Sequence, residues 1–229
     1  MDPRKLHIVS ATRLSEPEFL SRSALGQSMG RLLPDDRLTI YVVFENRRGL
    51  PDVYNERIQA DTGDAIAFMH DDVWIEDYYF VDRVLAGLAA YDVIGVAGNR
   101  RRAPNQPTWA HVDDEFTPEE SAHLSGLVSH GPYPLGTVTV FGRTVPAPCE
   151  LLDGVLLAAD RRLLLERKVL FDPRFDFHYY DMDFCRTARA AGLRLGTWPI
   201  CITHQSTGAG YATPRWAEKR ALYRAKWKD

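Results

Sequence analysis

The sequence has no excess of positive charge and no long apolar run. Its 28 lysine and arginine residues are set against 31 aspartate and glutamate residues, a formal net charge of −3. This balance gives no electrostatic reason to expect nucleic acid as the main partner. No apolar stretch approaches the roughly 20 residues of a membrane-spanning helix. A glycine-rich phosphate loop of the Walker type is also missing, which argues against enzymes built on that loop.

Cysteine is scarce as well. The three cysteines, at positions 149, 185 and 201, are odd in number, far apart and set among apolar residues. Buried free thiols in a reducing compartment are the simplest interpretation. The first five residues lead straight into an apolar segment without the pattern of a signal peptide. We therefore expect a soluble cytoplasmic protein, with its 229 residues in one domain or in one domain with a subdomain.

Segments typical of strands and of helices alternate along the first half. Strands are predicted at 6–11, 38–44, 65–69 and 92–97, and helices at 18–33, 49–60 and 78–89. This alternation predicts an α/β fold with a mostly parallel central sheet covered by helices.

The second half is interrupted by prolines. We predict a long loop over 98–134, in which the lone Trp109 favours a binding function. Strand patterns return at 137–141, 151–159 and 193–203. Helices are predicted from about 181 to 191 and over 213–228.

The stretch His70-Asp71-Asp72 follows the buried strand pattern at 65–69. In open α/β sheets, ligands bind at the carboxyl edge of the strands. Adjacent carboxylates with one imidazole suit Mg²⁺ or Mn²⁺ shared with substrate phosphates. The alternative is a solvated turn whose carboxylates cap a helix beginning near Glu76. The stretch by itself leaves both interpretations open.

A second acidic cluster, Asp181 and Asp183, lies at the predicted start of a helix. Arg186 follows Asp183 by three residues, and an ion pair between them would keep Asp183 ionised and weakly basic. Asp181 has no such partner nearby, and its aromatic neighbours should desolvate it and raise its pKa. Asp176 is expected to be solvated in a turn.

His204 directly follows the strand predicted at 193–203. A histidine at a strand end is a plausible metal ligand, although a single histidine is more often structural.

Together these motifs resemble the family-2-type glycosyltransferases of the GT-A fold, in the compact bacterial branch with a His-any-Asp motif. The resemblance runs over nearly the whole chain. Asn55, Gly63-Asp64 and Phe68-Met69-His70-Asp71-Asp72 resemble the family's Asn…Gly-Glu…Asp-any-Asp block. Tyr180-Asp181-Met182-Asp183-Phe184-Cys185-Arg186 resembles the Glu-Asp-any-Asp-Leu-any-Arg block, which carries the catalytic base.

Three positions depart from the family pattern. His70 replaces the first aspartate, Tyr180 replaces the glutamate before the base, and Tyr54 stands where many relatives have arginine. His70 is then either a metal ligand or a partner that orients one.

The resemblance implies a hexosyltransferase-like enzyme that moves a sugar from a nucleoside-diphosphate sugar to an acceptor hydroxyl with inversion. It implies a divalent metal, Mn²⁺ or Mg²⁺, at Asp72, His204 and His70, and it places the base on Asp181. Donor-binding positions are then expected at Ser10, Arg13, Asn46, Asn55 and Asp71, and acceptor-binding positions at Trp109 and Asp153. Residues 1–98 would form the nucleotide-sugar-binding half of a single domain, and 99–229 the acceptor-binding and catalytic half.

The expected acceptor is a carbohydrate or a lipid-linked one, in polysaccharide biosynthesis. Docking on the core is expected for the basic helix at 213–228, with weak contact to a membrane surface as the alternative. The small residues in 205–211 predict a mobile segment that closes over the donor and excludes water.

Two rival interpretations remain open at this point. One is a metal-dependent enzyme that transfers nucleotidyl or phosphoryl groups, which would also need carboxylates and a cation. The other is a non-catalytic module that binds sugars or nucleotides, an interpretation motivated by the departures at His70 and Tyr180.

Overall fold

The computed structural model describes residues 4–32, 35–60, 63–132, 134, 136–206 and 210–228. Its helices are α1 (Glu16–Arg22), α2 (Ala24–Met29), α3 (Leu50–Ala60), α4 (Phe80–Ala90), α5 (Arg161–Glu166), α6 (Tyr180–Ala190) and α7 (Pro214–Trp227). Its strands are β1 (Leu6–Ala11), β2 (Leu38–Val43), β3 (Ala65–Met69), β4 (Val73–Ile75), β5 (Val93–Gly95), β6 (Ala97–Asn99), β7 (Leu124–His130), β8 (Thr137–Gly142), β9 (Ala147–Pro148), β10 (Leu151–Leu152), β11 (Leu156–Asp160), β12 (Leu195–Thr197) and β13 (Ile202–His204).

Seven strands of the described chain form one sheet in the order β2-β1-β3-β11-β5-β12-β9. β1 pairs in parallel with β2 and β3, and β5 pairs in parallel with β12. β11 runs antiparallel between β3 and β5, and β9 is antiparallel to β12. Five of the seven strands therefore point in one direction, which confirms the predicted mostly parallel α/β sheet.

A second sheet has the order β10-β6-β7-β13-β4, with β8 paired to β7. The antiparallel pair β4–β13 aligns Val73 with His204. The parallel pair β13–β7 aligns His204 with His130. This sheet therefore brings the residues that follow β3 next to two histidines that are distant in sequence.

β3 is the centre of the core. All five of its residues are buried, as its continuous apolar pattern predicts. The Phe68 ring packs against Tyr54 and Phe171, with centroids 4.7 and 4.9 Å away. Phe171 in turn stacks on Phe184 of α6 at 4.1 Å. A rigid aromatic cluster thus joins β3 to the helix that carries the second acidic motif.

The single helix predicted at 18–33 is wrong, because the chain breaks at Ser23 into α1 and α2. Ser23 is extended, with φ −78° and ψ 149°, and its hydroxyl accepts a hydrogen bond from the Gly26 amide at 2.9 Å. A serine that caps a helix competes with the continuation of the helix before it.

Other predictions need correction where neighbouring strands belong to different sheets. The predicted loop over 98–134 contains β7, which pairs with β6, β8 and β13. The segments at 92–97 and 193–203 each split between the two sheets, into β5 and β6 and into β12 and β13. β4 and α5 were not predicted. Local pattern does not reveal which sheet a short strand joins.

The prediction that the C-terminal helix docks on the core is confirmed. Trp216 and Tyr223 of α7 are buried. Across the described ranges of the chain, no helix is long and apolar enough to cross a bilayer.

Candidate active site

A cavity of about 520 Å³ lies beyond the carboxyl end of β3. It brings together six residues that the sequence placed in a site: His70, Asp72, Trp109, Asp153, Asp181 and His204. These residues come from five separate parts of the chain, so the fold assembles the cavity rather than any single motif.

Asp72 and the two histidines form the group expected to hold a cation. One ligand atom from each of His70, Asp72 and His204 lies within 4.8 Å of the others. Oδ2 of Asp72 is 3.2 Å from Nε2 of His204, because the β4–β13 pairing sets these residues side by side. Oδ1 of Asp72 is buried without a hydrogen-bond partner in the described part of the chain. A buried carboxylate oxygen without a donor fits a cation, so the residues present suit a metal.

The charges of the three groups match this role. Burial would raise the pKa of Asp72, but the hydrogen bond and charge of His204 outweigh burial and lower it. Burial would lower the pKa of His204, but Asp72 raises it. For His70 burial dominates and lowers the pKa, which favours the neutral imidazole that a metal requires.

Asp181 lies at the second position of α6, where Tyr179 with φ 66° turns the chain into the helix. Its Oδ2 accepts a hydrogen bond from the Gly154 amide at 3.1 Å, and its Oδ1 accepts one from the Met182 amide at 2.8 Å. Burial, with the nearby Asp153 as a further cause, raises the pKa of Asp181 to about 7. The predicted upward shift is confirmed. A carboxylate with this pKa can accept a proton near neutral pH.

The two other candidate carboxylates are engaged elsewhere, and two predictions about them are wrong. Asp183 is buried, with Nζ of Lys226 and Nε1 of Trp227 each 2.8 Å from its carboxylate, so its partners lie on α7. Burial raises the pKa of Asp183, and Lys226 opposes this shift. The predicted ion pair with Arg186 would instead have kept Asp183 ionised and weakly basic. Asp176, expected to be solvated, is half-buried and paired with Arg215 at 2.5 Å.

The donor-binding positions lie outside the cavity. Ser10 is buried at the end of β1, and its hydroxyl has no hydrogen-bond partner within the described ranges. The backbone N–H of Asn46 donates to the carbonyl oxygen of Thr12 at 2.8 Å. Burial raises the pKa of the Asp71 carboxyl, with the Thr12 side chain opposing. Arg13 is exposed. Ser10 thus lies near the end of β1, and Asn46 and Asp71 follow the strands β2 and β3 on either side of it, while Asp72 belongs to the cavity.

Asn55 has a structural task in this conformation. Its side-chain nitrogen donates to the Phe171 carbonyl at 2.7 Å, and its oxygen accepts from the Phe171 amide at 2.8 Å. Both polar atoms of the Asn55 side chain therefore bind the backbone of Phe171 and hold it against α3.

Several lining residues were not predicted. They include Tyr180 and a set of aromatic and imidazole side chains: His111, His130, Phe177, His178, Tyr211 and Trp216. The centroid of the His130 ring lies 5.8 Å from that of His204. His130 was missed because it ends β7, which lies within the segment predicted as a loop. The expected closure of 205–211 concerns a segment whose residues 207–209 lie outside the described residues.

Comparisons with known proteins agree on the fold and the family. The sequence profile of glycosyl transferase family 2 matches residues 26–143, more than half of the chain. No curated protein matches the sequence at a significant level.

Three solved structures share the fold at low sequence identity. A mannosyltransferase from Pyrobaculum calidifontis in complex with GDP-Man and Mn²⁺ has 14% identity and a TM-score of 0.54, over 100% of this chain and 66% of that one. GalNAc-T7 with UDP, GalNAc and Mn²⁺ has 11% identity and a TM-score of 0.52, over 99% of this chain and 50% of that one. The catalytic domain of Drosophila β1,4-galactosyltransferase 7 in complex with xylobiose has 14% identity and a TM-score of 0.50, over 91% and 68%. The chain thus spans between half and about two thirds of the length of these proteins.

The chain has the GT-A fold of these glycosyltransferases. The profile match shows that it belongs to glycosyl transferase family 2.

Proposed function

We propose that the protein transfers a sugar from a nucleoside-diphosphate sugar to an acceptor hydroxyl, with inversion, in a reaction that depends on a divalent cation. The observation that carries this proposal is the buried, unpartnered oxygen of Asp72 beside two imidazoles, in the same cavity as the raised-pKa carboxylate of Asp181. Two structures of similar fold hold a nucleotide or nucleotide sugar together with Mn²⁺.

The donor set favours Mn²⁺ over Mg²⁺. Mg²⁺ prefers oxygen ligands, whereas His70 and His204 supply imidazole nitrogens. When bound, the cation would act as a Lewis acid that neutralises charge developing on the leaving diphosphate. Asp72, His204 and His70 would hold it. The donor nucleoside would lie over the ends of β1 and β2, near Ser10 and Asn46.

Asp181 is proposed as the general base. Its two backbone contacts fix the carboxylate at the start of α6, and the cavity gives an acceptor hydroxyl access to it. Removal of the hydroxyl proton makes the oxygen a competent nucleophile. A single base beside a separate metal group fits one direct displacement, and hence inversion at the sugar carbon.

Product analysis tests this function against its rivals. Incubation with a panel of nucleoside-diphosphate sugars and Mn²⁺ is expected to release nucleoside diphosphate and to give a product of inverted anomeric configuration, read by proton NMR. Release of pyrophosphate would indicate nucleotidyl transfer instead. If the panel is bound without transfer or hydrolysis, the protein is a binding module and the proposal is wrong.

The cavity also supports a proposal about the acceptor, a neutral carbohydrate either free or lipid-linked. Neither lysine nor arginine is among the described residues that line the cavity, whereas Asp72, Asp153 and Asp181 are. Two basic residues of α7, Arg215 and Lys219, pair with Asp176, which does not line the cavity. The proposed cation at Asp72 would be shared with the donor diphosphate, so an anionic acceptor would meet the carboxylates of Asp153 and Asp181. Trp109 and Tyr211 line the cavity, and the exposed Tyr211 ring is the larger aromatic surface available to a sugar.

A screen of matched acceptors checks this charge preference. Each neutral aryl hexoside is paired with the corresponding aryl uronide, and Mn²⁺-dependent transfer is measured. The neutral member of each active pair is expected to be preferred at least about tenfold, because roughly 1.4 kcal/mol of charge repulsion is enough for that. Preference for the uronides would contradict the proposed acceptor class.

Location and pathway are proposals of the same kind. A cytoplasmic enzyme of polysaccharide biosynthesis fits a chain whose three cysteines are free thiols, two of them buried.

A further inference from the structure

The Tyr180 hydroxyl bridges two groups at the bottom of the cavity. It lies 2.8 Å from the carbonyl oxygen of Gly154 and 2.8 Å from Nε2 of His70. Tyr180 is buried, and the rings of Tyr54 and Phe171 flank it at 6.1 and 6.0 Å. The hydroxyl is therefore held in place by packing.

The direction of each hydrogen bond follows from the chemistry of the groups. A carbonyl oxygen can only accept, so the single hydroxyl proton of Tyr180 goes to Gly154. The same hydroxyl can then only accept a hydrogen bond from His70, which requires the proton of the neutral imidazole to be on Nε2. Nδ1 of His70 is left with a free lone pair, 4.0 Å from Oδ1 of Asp72.

We infer that Tyr180 is a positioning residue that holds His70 in the Nε2-protonated tautomer, so that Nδ1 can ligate the cation. This inference rests on the metal site of the proposed function. It also joins two departures from the family pattern, since the histidine in place of the first aspartate and the tyrosine in place of the glutamate are in contact. A partner that fixes the tautomer of a metal-binding histidine typically changes metal affinity by roughly 10–100-fold.

Gly154 completes the arrangement. A Cβ atom at this position would lie 2.3 Å from the Tyr180 hydroxyl, a contact that would force the tyrosine to move. The Phe177 ring stacks on His70, with centroids 6.0 Å apart and an angle of 22° between the planes. The imidazole is therefore fixed at one nitrogen by Tyr180 and on one ring face by Phe177, while its second nitrogen faces Asp72.

Tyr180→Phe tests the inference, because it removes the hydroxyl and keeps the ring. Nitrogen-15 spectra of His70 in the metal-free protein are expected to show the Nε2-protonated tautomer in the wild type. In the variant the proton should move toward Nδ1, where Asp72 is the remaining acceptor. Calorimetric titration with Mn²⁺ alone should show affinity reduced about 10–100-fold.

The control is Tyr54→Phe, which makes the same chemical change in a neighbouring buried ring. The Tyr54 hydroxyl has no hydrogen-bond partner among the described residues, so Mn²⁺ affinity and the His70 tautomer should stay as in the wild type. In a His70→Ala background, Tyr180→Phe should cause no further loss of Mn²⁺ affinity, since the tyrosine acts through the histidine.

Wild-type Mn²⁺ affinity and an unchanged His70 tautomer in Tyr180→Phe would overturn the inference. The inference would also fail if Tyr180→Phe lowered Mn²⁺ affinity as much in the His70→Ala background as in the wild type, because Tyr180 would then act by another route. A wild-type protein that binds no Mn²⁺ would contradict the proposed function, and the metal-free nitrogen spectra would still decide whether Tyr180 sets the tautomer.

Discussion

Asp181→Asn is expected to lower turnover by about 10²–10⁴-fold, the usual contribution of general-base catalysis. The asparagine keeps the shape of the side chain but cannot accept the acceptor's proton. Binding of the donor should be nearly unchanged, because Asp181 does not belong to the proposed donor or metal groups. Steady-state turnover with calorimetry of nucleoside-diphosphate binding separates the two effects.

Asp183→Asn is the matched control for this variant. Asp183 lies only two residues further along the same helix, so its side chain leaves the helix on a different face. Its carboxylate contacts Lys226 and Trp227 of α7. The control should lose stability while each folded molecule retains its turnover. If Asp183→Asn lost turnover and Asp181→Asn did not, the assignment of the base would be wrong.

The raised pKa of Asp181 gives a pH test of the same assignment. The carboxylate must be ionised to accept a proton, so the proposed base is active above its pKa of about 7 and lost as the pH falls through it. Carbon-13 spectra of the side-chain carboxyls, recorded in the metal-free protein, should show a titration near pH 7 that is missing in Asp181→Asn. A titration near pH 4 would show that burial does not tune this group.

Asp72→Asn is expected to remove Mn²⁺-dependent binding of nucleoside diphosphate. The loss should exceed the roughly 10–100-fold that removal of an orienting hydrogen bond causes, because a charged ligand atom is lost. The fold should tolerate the change, since the substitution is isosteric. Asp52→Asn, an exposed position on α3, is the matched control and should bind as the wild type does. Undiminished Mn²⁺-dependent binding by Asp72→Asn would remove Asp72 from the metal site.

Much of the site could be predicted because its residues lie at the ends of recognisable elements. The apolar run of β3 marks a central strand, and polar residues after such a strand lie at the edge where ligands bind. The fold and the family were predicted from the order of the motifs, and both are confirmed. The raised pKa of Asp181 was predictable because its neighbours in sequence are aromatic and apolar.

The contacts that could not be predicted join residues distant in sequence. His70 and Tyr180 are 110 positions apart, and Asp183 and Lys226 are 43 positions apart. The sequence predicted an ion pair between Asp183 and Arg186, because Arg186 stands about one helical turn away. The docking of α7 sets its actual partners instead. Likewise, the register of β13 between β4 and β7 places His130 by His204, and no short motif encodes that register.

The most direct test of the account is a crystal structure with Mn²⁺ and a nucleoside diphosphate, with anomalous scattering used to locate the metal. We expect one Mn²⁺ peak in contact with Asp72, His204 and Nδ1 of His70, with the diphosphate on the metal and the nucleoside over the ends of β1 and β2. Asp181 should face the same space from α6. A peak away from Asp72, or a diphosphate bound elsewhere with no metal at this site, would contradict the account.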